Sequence, residues 1–261
     1  MPDSVHALAF NHVAYSYANA PVLRDVTATV PDAQLTCILG PNGCGKSTLL
    51  KLADGMLKPS AGDIAVDGMP VRQMKPRERA QRIAVLAQTN QVPAMTVREL
   101  VACGRYPYAG IGGRLAGDDE DAINRAIELC NLEKLEDEPL ERLSGGQRQR
   151  AFIALACAQE AHVMLLDEPT TYLDVGACHA VLELLHTIAT TRGAAVCAVI
   201  HDLDLALRHA DRLIVIQDGC AEEGTRDEML ASGAIQRAFG IEIDAHDSAR
   251  GRGYVVYPAR S

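Results

Sequence analysis

Residues 40–47, GPNGCGKS, have the residue types and the spacing of a phosphate-binding loop. The glycines allow a tight loop whose backbone N–H groups point at phosphate oxygens, and the positive end of the following helix adds to that field. Lys46 would reach the β- and γ-phosphates, and the Ser47 hydroxyl would ligate Mg²⁺. The apolar run before the loop and the helical pattern after it disfavour an ordinary glycine-rich turn. We expect the nucleotide to contact Gly40, Pro41, Asn42, Gly43, Cys44, Gly45, Lys46, Ser47 and Thr48.

Two adjacent carboxylates, Asp167 and Glu168, follow the apolar run Val163–Leu166. At a buried strand end, Asp167 can hold Mg²⁺, and Glu168 can polarise the water that attacks the γ-phosphate. Such a pair, taken alone, is more often a solvated strand end. The phosphate loop in the same chain favours the catalytic interpretation.

Four apolar runs of strand length each lead into a polar segment, beginning at Gly40, Gln88, Asp167 and His201. Ligands of open α/β sheets bind at the carboxyl ends of the parallel strands. We therefore expect these four segments to converge on one site. A lone histidine is usually structural, so a γ-phosphate contact for His201 depends on this convergence.

Leu143–Gln147 (LSGGQ) has the features of a second phosphate-binding element. It would begin a helix with free backbone N–H groups and a serine hydroxyl, and Ser144 and Gln147 have the spacing of a capping box. We expect this segment to lie too far from the phosphate loop of its own chain. Either a second copy completes a composite site with Ser144, Gly145, Gly146 and Gln147, or the segment is an ordinary capped helix.

Short apolar runs alternate with helical patterns, which predicts an α/β fold around a mainly parallel sheet, and the phosphate loop predicts that this is a P-loop NTPase core. The alternation in 10–30 and the run Ile64–Val66 predict an antiparallel β side sheet. Residues 1–90 and 160–240 would form the core and its side sheet, and 91–159 an inserted α-helical subdomain. A C-terminal extension, 241–261, has no clear periodicity.

Composition excludes several classes of protein. The chain has 261 residues, 25 Lys and Arg against 34 Asp and Glu, a formal charge of −9, 4% aromatic residues and no tryptophan. This balance gives no bulk attraction to nucleic acid. The basic run from Arg72 to Arg82 is thus expected to be a solvated helix face, with a nucleic-acid patch as the alternative. The eight cysteines contain no C-x-x-C pair, and no apolar run reaches the roughly 18–20 residues that span a bilayer.

Taken together, these motifs resemble the ATP-binding cassette (ABC) family of transporter ATPases. The matching segments are GPNGCGKST, Gln88, LSGGQ, the run LLDEPTTYLD and His201, and the resemblance extends from about Phe10 to about Gly240. It implies a head-to-tail dimer of two ATP-binding subunits that holds ATP and Mg²⁺ at the interface. It further implies transmembrane permease subunits, an indirect link to a substrate-binding protein, no nucleic-acid partner, and a peripheral position on the cytoplasmic face of the inner membrane.

The resemblance also implies roles for individual residues. Glu168 would be the catalytic base, and Gln88 would contact Mg²⁺ and couple the nucleotide state to the permease. Tyr17 would stack on adenine, although the neighbouring Tyr15 is an equal candidate. Asp174 closes the run 171–174, which would communicate between the two sites.

Within the family, the stretches 95–107, 144–151 and 170–174 look like the importers of iron–siderophore complexes, haem and vitamin B12, and TTYLD resembles the ferric-siderophore branch. Residues 95–108 would either receive a permease helix or pack the core of the helical insertion.

The alternatives to a transporter subunit are a non-transport ABC ATPase that acts on DNA or ribosomes, and a P-loop kinase or GTPase switch. The chain has no long heptad arm, which disfavours a non-transport ABC ATPase. A kinase or GTPase switch would leave LSGGQ without a role.

Overall fold

The computed structural model describes residues 6–18, 20–88, 92–110, 117–248 and 251–259. The strands within these residues are β1 (Leu8–Tyr17), β2 (Ala20–Val30), β3 (Leu35–Leu39), β4 (Ala61–Val66), β5 (Met69–Pro70), β6 (Ile83–Leu86), β7 (Val163–Asp167), β8 (Ala195–Val199), β9 (Arg212–Gln217), β10 (Cys220–Thr225), β11 (Ile241–Ser248) and β12 (Gly251–Pro258). The helices are α1 (Lys46–Ala53), α2 (Pro76–Arg82), α3 (Val97–Ala102), α4 (Gly117–Leu129), α5 (Gly145–Ala158), α6 (Val175–Arg192), α7 (Leu203–His209), α8 (Arg226–Ala231) and α9 (Ala234–Phe239).

The central sheet is parallel, with β3 between β8 and β9, and with β7 and then β6 beyond β8. Side chains of β3 alternate between the two faces, as a strand period of two requires. Leu35, Cys37 and Leu39 pack in the core that holds the buried residues of α5 and α6, and Ile38 packs in the core that holds those of α1. Helices therefore cover both faces, which explains the continuous apolar runs of the strands.

The predicted side sheet is present. Strands β1, β2, β4 and β5 form an antiparallel sheet. Its ladder with the central sheet consists of one residue pair, Asp25 of β2 with Cys220 of β10, and Thr29 of β2 also donates to the Glu223 carboxylate of β10. Across the described residues the strand order is β5-β4-β1-β2-β10-β9-β3-β8-β7-β6. The α/β class with an antiparallel side sheet and helical segments is thus confirmed.

Between β6 and β7 the described part of the chain contains helices, turns and one isolated antiparallel bridge, between Thr96 and Pro139, and α3, α4 and α5 pack against one another. The predicted capping box of Ser144 with Gln147 is formed, and Thr96 forms another with Glu99 at the start of α3. A Cβ on Gly104 would lie 2.3 Å from the Leu155 carbonyl oxygen, so glycine allows α5 to approach closely. The boundaries of a separate subdomain at 91 and 159 stay a prediction, since 89–91 and 111–116 lie outside the described residues.

The C-terminal extension is a β-hairpin rather than an irregular tail. β11 pairs with β12 from Ile241 opposite Pro258 to Ser248 opposite Gly251. Tyr254 is buried in the core shared with α7, which anchors the hairpin to the domain. None of the helices in the described ranges is long and apolar enough to cross a lipid bilayer.

Candidate nucleotide-binding site

The phosphate loop connects the carboxyl end of β3 to the amino end of α1. Gly40 and Gly45 have φ angles of +150° and +106°, which residues with a side chain rarely adopt. A Cβ on Gly40 would lie 2.4 Å from the Ile216 carbonyl oxygen, and one on Gly45 would lie 2.7 Å from the Leu23 side chain. The conformation of the loop therefore depends on glycine at both positions.

The Lys46 ammonium group lies across this loop. Its side chain is buried, and Nζ donates to the carbonyl oxygens of Gly40 at 2.8 Å and Pro41 at 3.0 Å. A buried charge needs such partners, because its desolvation is costly. The two carbonyls thus hold the positive charge at the place where phosphate oxygens would become its partners.

Ser47 and Asp167 come together from distant parts of the sequence. The Ser47 hydroxyl donates to Oδ1 of Asp167 at 2.9 Å. Burial raises the pKa of Asp167 above its ordinary value, and the bond from Ser47 opposes this rise only in part. Hydroxyl and carboxylate oxygens are the hard ligands that Mg²⁺ prefers, so this pair fits the predicted metal site. The Gln88 amide nitrogen donates to Glu168, and the role of Gln88 as a third Mg²⁺ ligand stays a prediction.

Three side chains hold the Glu168 carboxylate. The Gln88 amide donates to Oε2 at 2.7 Å, the Thr171 hydroxyl donates to Oε2 at 3.1 Å, and Nε2 of His201 lies 2.5 Å from Oε1. Burial acts to raise the pKa of Glu168, but the bonds from His201, Thr171 and Gln88 and the charge of His201 outweigh it. Its pKa therefore lies below the ordinary value. Glu168 is a carboxylate at neutral pH, the form that accepts a hydrogen bond from water.

An open cleft of about 280 Å³ lies over the loop. The described residues that line it are Tyr17, Val22, Asn42, Gly43, Gly45, Lys46, Ser47, Thr48, Glu168 and His201. The structure therefore brings together the loop, the base predicted at the end of β7 and the histidine that follows β8.

The two candidate tyrosines differ in their surroundings. Tyr17 is 45% exposed and lines the cleft. Tyr15 is partly buried and packs against the apolar core. Their rings meet edge to face, with centroids 4.9 Å apart. Tyr17 therefore has an aromatic ring exposed to the cleft, and the ring of Tyr15 packs between Tyr17 and the apolar core.

The LSGGQ segment lies elsewhere. Ser144–Gln147 are absent from the described residues that line the cleft, and the Ser144 hydroxyl accepts a hydrogen bond from the Gln147 N–H as the cap of α5. A Cβ on Gly145 would lie 3.4 Å from Leu173, and one on Gly146 would lie 3.1 Å from the Ala177 Cβ. This segment thus packs against the start of α6.

Asp174 marks that start, since its carboxylate accepts a hydrogen bond from the Ala177 N–H at 2.8 Å. Beside it, Tyr172 is 93% exposed and Val175 is 76% exposed. We call Ser144–Gln147 together with Tyr172–Val175 the signature surface.

Two contacts of the site were not predicted from the sequence, although Thr171 belongs to the run 171–174 that was expected to communicate between the two sites. Thr171 donates to the Glu168 carboxylate, and its spacing of three residues after a strand-end glutamate was the available signal. Val22 lines the cleft from β2, and no signal distinguishes it from other strand valines.

The sheet with its phosphate loop, the Ser47–Asp167 pair and the held Glu168 carboxylate define a P-loop nucleoside-triphosphate hydrolase. Residues 23–171 match the model of the ABC transporter family. The chain is 40% identical to the ferric enterobactin transport ATP-binding protein of Escherichia coli (strain K12), over 92% of this chain and 90% of that protein. It is 36% identical to the probable siderophore transport system ATP-binding protein of Bacillus subtilis (strain 168), over 90% of this chain and 86% of that protein.

A solved structure supports the same relationship. An inward-facing conformation of an ABC transporter described as metal-chelate type superposes with a TM-score of 0.83, at 25% identity and over 98% of both chains. This chain belongs to the ABC transporter family, and it is an ATP hydrolase of that family. The kinase and GTPase alternatives are excluded by this relationship.

Proposed function

We propose that this chain is the ATP-hydrolysing subunit of an importer that takes up an iron(III)–siderophore complex through a membrane permease. The observation that carries the activity is the Glu168 carboxylate, ionised and held beside the phosphate loop. Similarity over most of the chain to proteins named for ferric enterobactin and siderophore transport supports the cargo class. These names favour a siderophore complex over the alternative cargoes, haem and vitamin B12.

The residues of the cleft have different roles in binding and hydrolysing ATP. Lys46 exchanges its bonds to the Gly40 and Pro41 carbonyls for phosphate oxygens, and the N–H groups of the loop hold the remaining phosphate charge. Ser47 and Asp167 would hold Mg²⁺, which neutralises charge that develops on the phosphates.

Hydrolysis then needs a positioned water. Glu168 accepts a hydrogen bond from that water and orients it toward the γ-phosphate, while His201 lies close enough to hold the carboxylate and to contact the phosphate. Gln88 shares this carboxylate, so its amide responds to what occupies the cleft. The coupling of nucleotide state to the permease would begin there.

Two copies of the chain would complete the site. The cleft of one copy lacks Ser144–Gln147 among its described lining, and the signature surface exposes Tyr172 and Val175 beside those residues. In a head-to-tail dimer the signature surface of the second copy would cover the cleft, and Ser144 to Gln147 would close on the γ-phosphate.

The importer-type relatives imply a membrane permease as partner. The chain would bind the cytoplasmic face of that permease as a peripheral subunit and would meet the substrate-binding protein only through it. The predicted contact lies in Met95–Tyr108, where Tyr106 is 69% exposed.

The test is recovery of the permease. Tagged Glu168→Gln chain is incubated with ATP and detergent-solubilised membranes, with Lys46→Met, which would lose the phosphate contact, as the control. We expect a polytopic permease to be retained by Glu168→Gln. That permease, reconstituted with the wild-type chain and its binding protein, should move a ferric siderophore rather than haem or vitamin B12. Retention of ribosomal or DNA-repair proteins without a membrane protein would contradict transport.

A further inference from the structure

The segment that carries Tyr106 is held in place from two sides. It comprises residues 103–110, which follow α3 as a series of helical turns, and we call it the Tyr106 segment. The N–H groups of Tyr108 and Ala109 donate back to the Arg105 carbonyl. The described chain is no longer helical at Ala109 and Gly110, so the carbonyl groups of the last turn can accept hydrogen bonds from side chains.

Arg77 of α2 supplies those partners. Its Nε donates to the Pro107 carbonyl at 2.8 Å, and its Nη2 donates to the carbonyls of Tyr108 at 3.1 Å and Ala109 at 3.0 Å. Gln81, one turn further along α2, donates to the Pro107 carbonyl at 2.9 Å. A guanidinium fork is suited to several acceptors at once, and a cation at the end of helical turns is also favoured by their dipole.

The other side of the segment is fixed to the helical layer through Arg105, which is buried. Arg105 donates to Asp119 at 2.8 Å, to the Ala158 carbonyl at 2.7 Å and to Glu160 at 2.9 Å. Its guanidinium also lies 4.1 Å from the centre of the Tyr108 ring. The Tyr106 segment is therefore bonded to the helical layer through Arg105 and to α2 through Arg77 and Gln81. The helical layer also has its own bonds to this region, since the Gln159 amide at the end of α5 donates to the carbonyls of Ala80 and Ile83.

That link leads to the catalytic carboxylate. α2 continues without a break into β6, and Gln88 follows the end of β6 with its amide on Glu168. Other members of the basic run are engaged elsewhere. Arg72 pairs with Asp63 at 3.4 Å, and Arg82 pairs with Asp67 at 3.1 Å. Arg77 is thus distinguished from these two by its contact with the Tyr106 segment.

We propose that Arg77 is a positioning residue that ties the Tyr106 segment to α2 and so transmits movement of Gln88 to the permease. This inference rests on the proposed function. A displacement of β6 at Gln88 shifts α2, and the three carbonyl bonds of Arg77 make the Tyr106 segment follow. Without them the segment would keep one bond to α2, from Gln81, and would otherwise be held through Arg105 to the helical layer.

The experiment compares Arg77→Met, Arg77→Lys and Arg72→Met in the chain reconstituted with its permease. The readout is the ratio of permease-stimulated to intrinsic ATPase rate, together with iron uptake per ATP hydrolysed. We expect Arg77→Met to lower the ratio about tenfold, the scale of losing charged hydrogen bonds. Arg77→Lys should be similarly impaired, because a lysine ammonium keeps the charge but not the fork. Arg72→Met should match the wild type.

A second readout uses the chain alone, so it does not depend on the permease. Amide hydrogen exchange in the Tyr106 segment should be faster in Arg77→Met and unchanged in Arg72→Met. Gln81→Ala, which removes one bond to Pro107, should also speed amide exchange in the Tyr106 segment, but by less. This variant replaces Arg77→Met in the experiment if Arg77→Met does not fold. Unchanged exchange, or equal loss of stimulation in Arg72→Met, would overturn the role of Arg77. A wild-type chain that no permease stimulates would instead overturn the proposed function.

Discussion

Nε2 of His201 and Oε1 of Glu168 are 2.5 Å apart, although the two residues follow different strands. Glu168 follows β7 and His201 comes after the neighbouring strand β8, while Gln88, which bonds the other carboxylate oxygen, follows β6 on the opposite side. Three adjacent strand ends therefore place their side chains on one carboxylate. Its orientation is set by the sheet before any nucleotide is bound, so little reorganisation is left for the reaction.

This environment predicts how Glu168 affects stability as pH changes. The pKa of Glu168 in the folded chain lies below its ordinary value of 4.5, so the ionised form favours folding. That contribution is complete above pH 4.5 and is lost as pH falls through the lower folded value. Glu168→Gln should be less stable than the wild type at neutral pH, and the difference should shrink in acid. Urea denaturation across this range measures it, and a difference independent of pH would contradict the assignment.

For Asp167 we expect the opposite dependence of stability on pH. Burial raises its pKa, so its charged form costs stability in the nucleotide-free chain once pH exceeds the folded value. Asp167→Asn keeps an acceptor for the Ser47 hydroxyl and removes the charge. We expect a higher melting temperature at neutral pH together with loss of Mg²⁺-dependent hydrolysis. A variant that melts below the wild type at neutral pH would show that the carboxylate is stabilising.

The adenine contact can be assigned by comparing two tyrosines. Tyr17→Ala should weaken ATP binding by about 5- to 150-fold, since stacking on an aromatic ring contributes about 1–3 kcal/mol, and should leave folding nearly unchanged because the ring is half exposed. Tyr15→Ala should mainly lower the free energy of unfolding. Calorimetric titration with ATP and urea denaturation separate these effects. Weaker binding in Tyr15→Ala alone would reverse the assignment.

The signature segment can be tested with a matched cap. Ser144 and Thr225 both cap helices through complete capping boxes, at α5 and α8. Replacing either with alanine should cost about 1 kcal/mol of stability. Only Ser144→Ala should also lower ATPase activity, by about tenfold or more, because only Ser144 would contact the γ-phosphate of the second copy. Equal activities in the two variants would mean that Ser144 is a cap and nothing more.

The sequence predicted those parts of the site whose chemistry is local. Gly40, Lys46 and Ser47 are fixed by one loop, and Asp167 and Glu168 by one strand end, so spacing was sufficient. Their convergence followed from the rule that parallel strands share a carboxyl edge.

Other contacts could not be predicted from the sequence, for a physical reason. Arg77 bonds to backbone carbonyls about thirty positions away, and carbonyls are present at every residue and carry no sequence signal. The hairpin β11–β12 depends on burial of Tyr254 against α7, a tertiary effect that outweighs weak local periodicity.

The most direct test of the central claim is the response of Glu168→Gln to ATP. Light scattering after size exclusion, with and without ATP and Mg²⁺, should show a monomer that becomes a dimer, and Lys46→Met should stay monomeric. ATP turnover by Glu168→Gln should fall by about 10²- to 10⁴-fold, the contribution of a general base. Wild-type turnover in Glu168→Gln, or no dimer with ATP, would contradict a water-orienting carboxylate in a site shared by two copies.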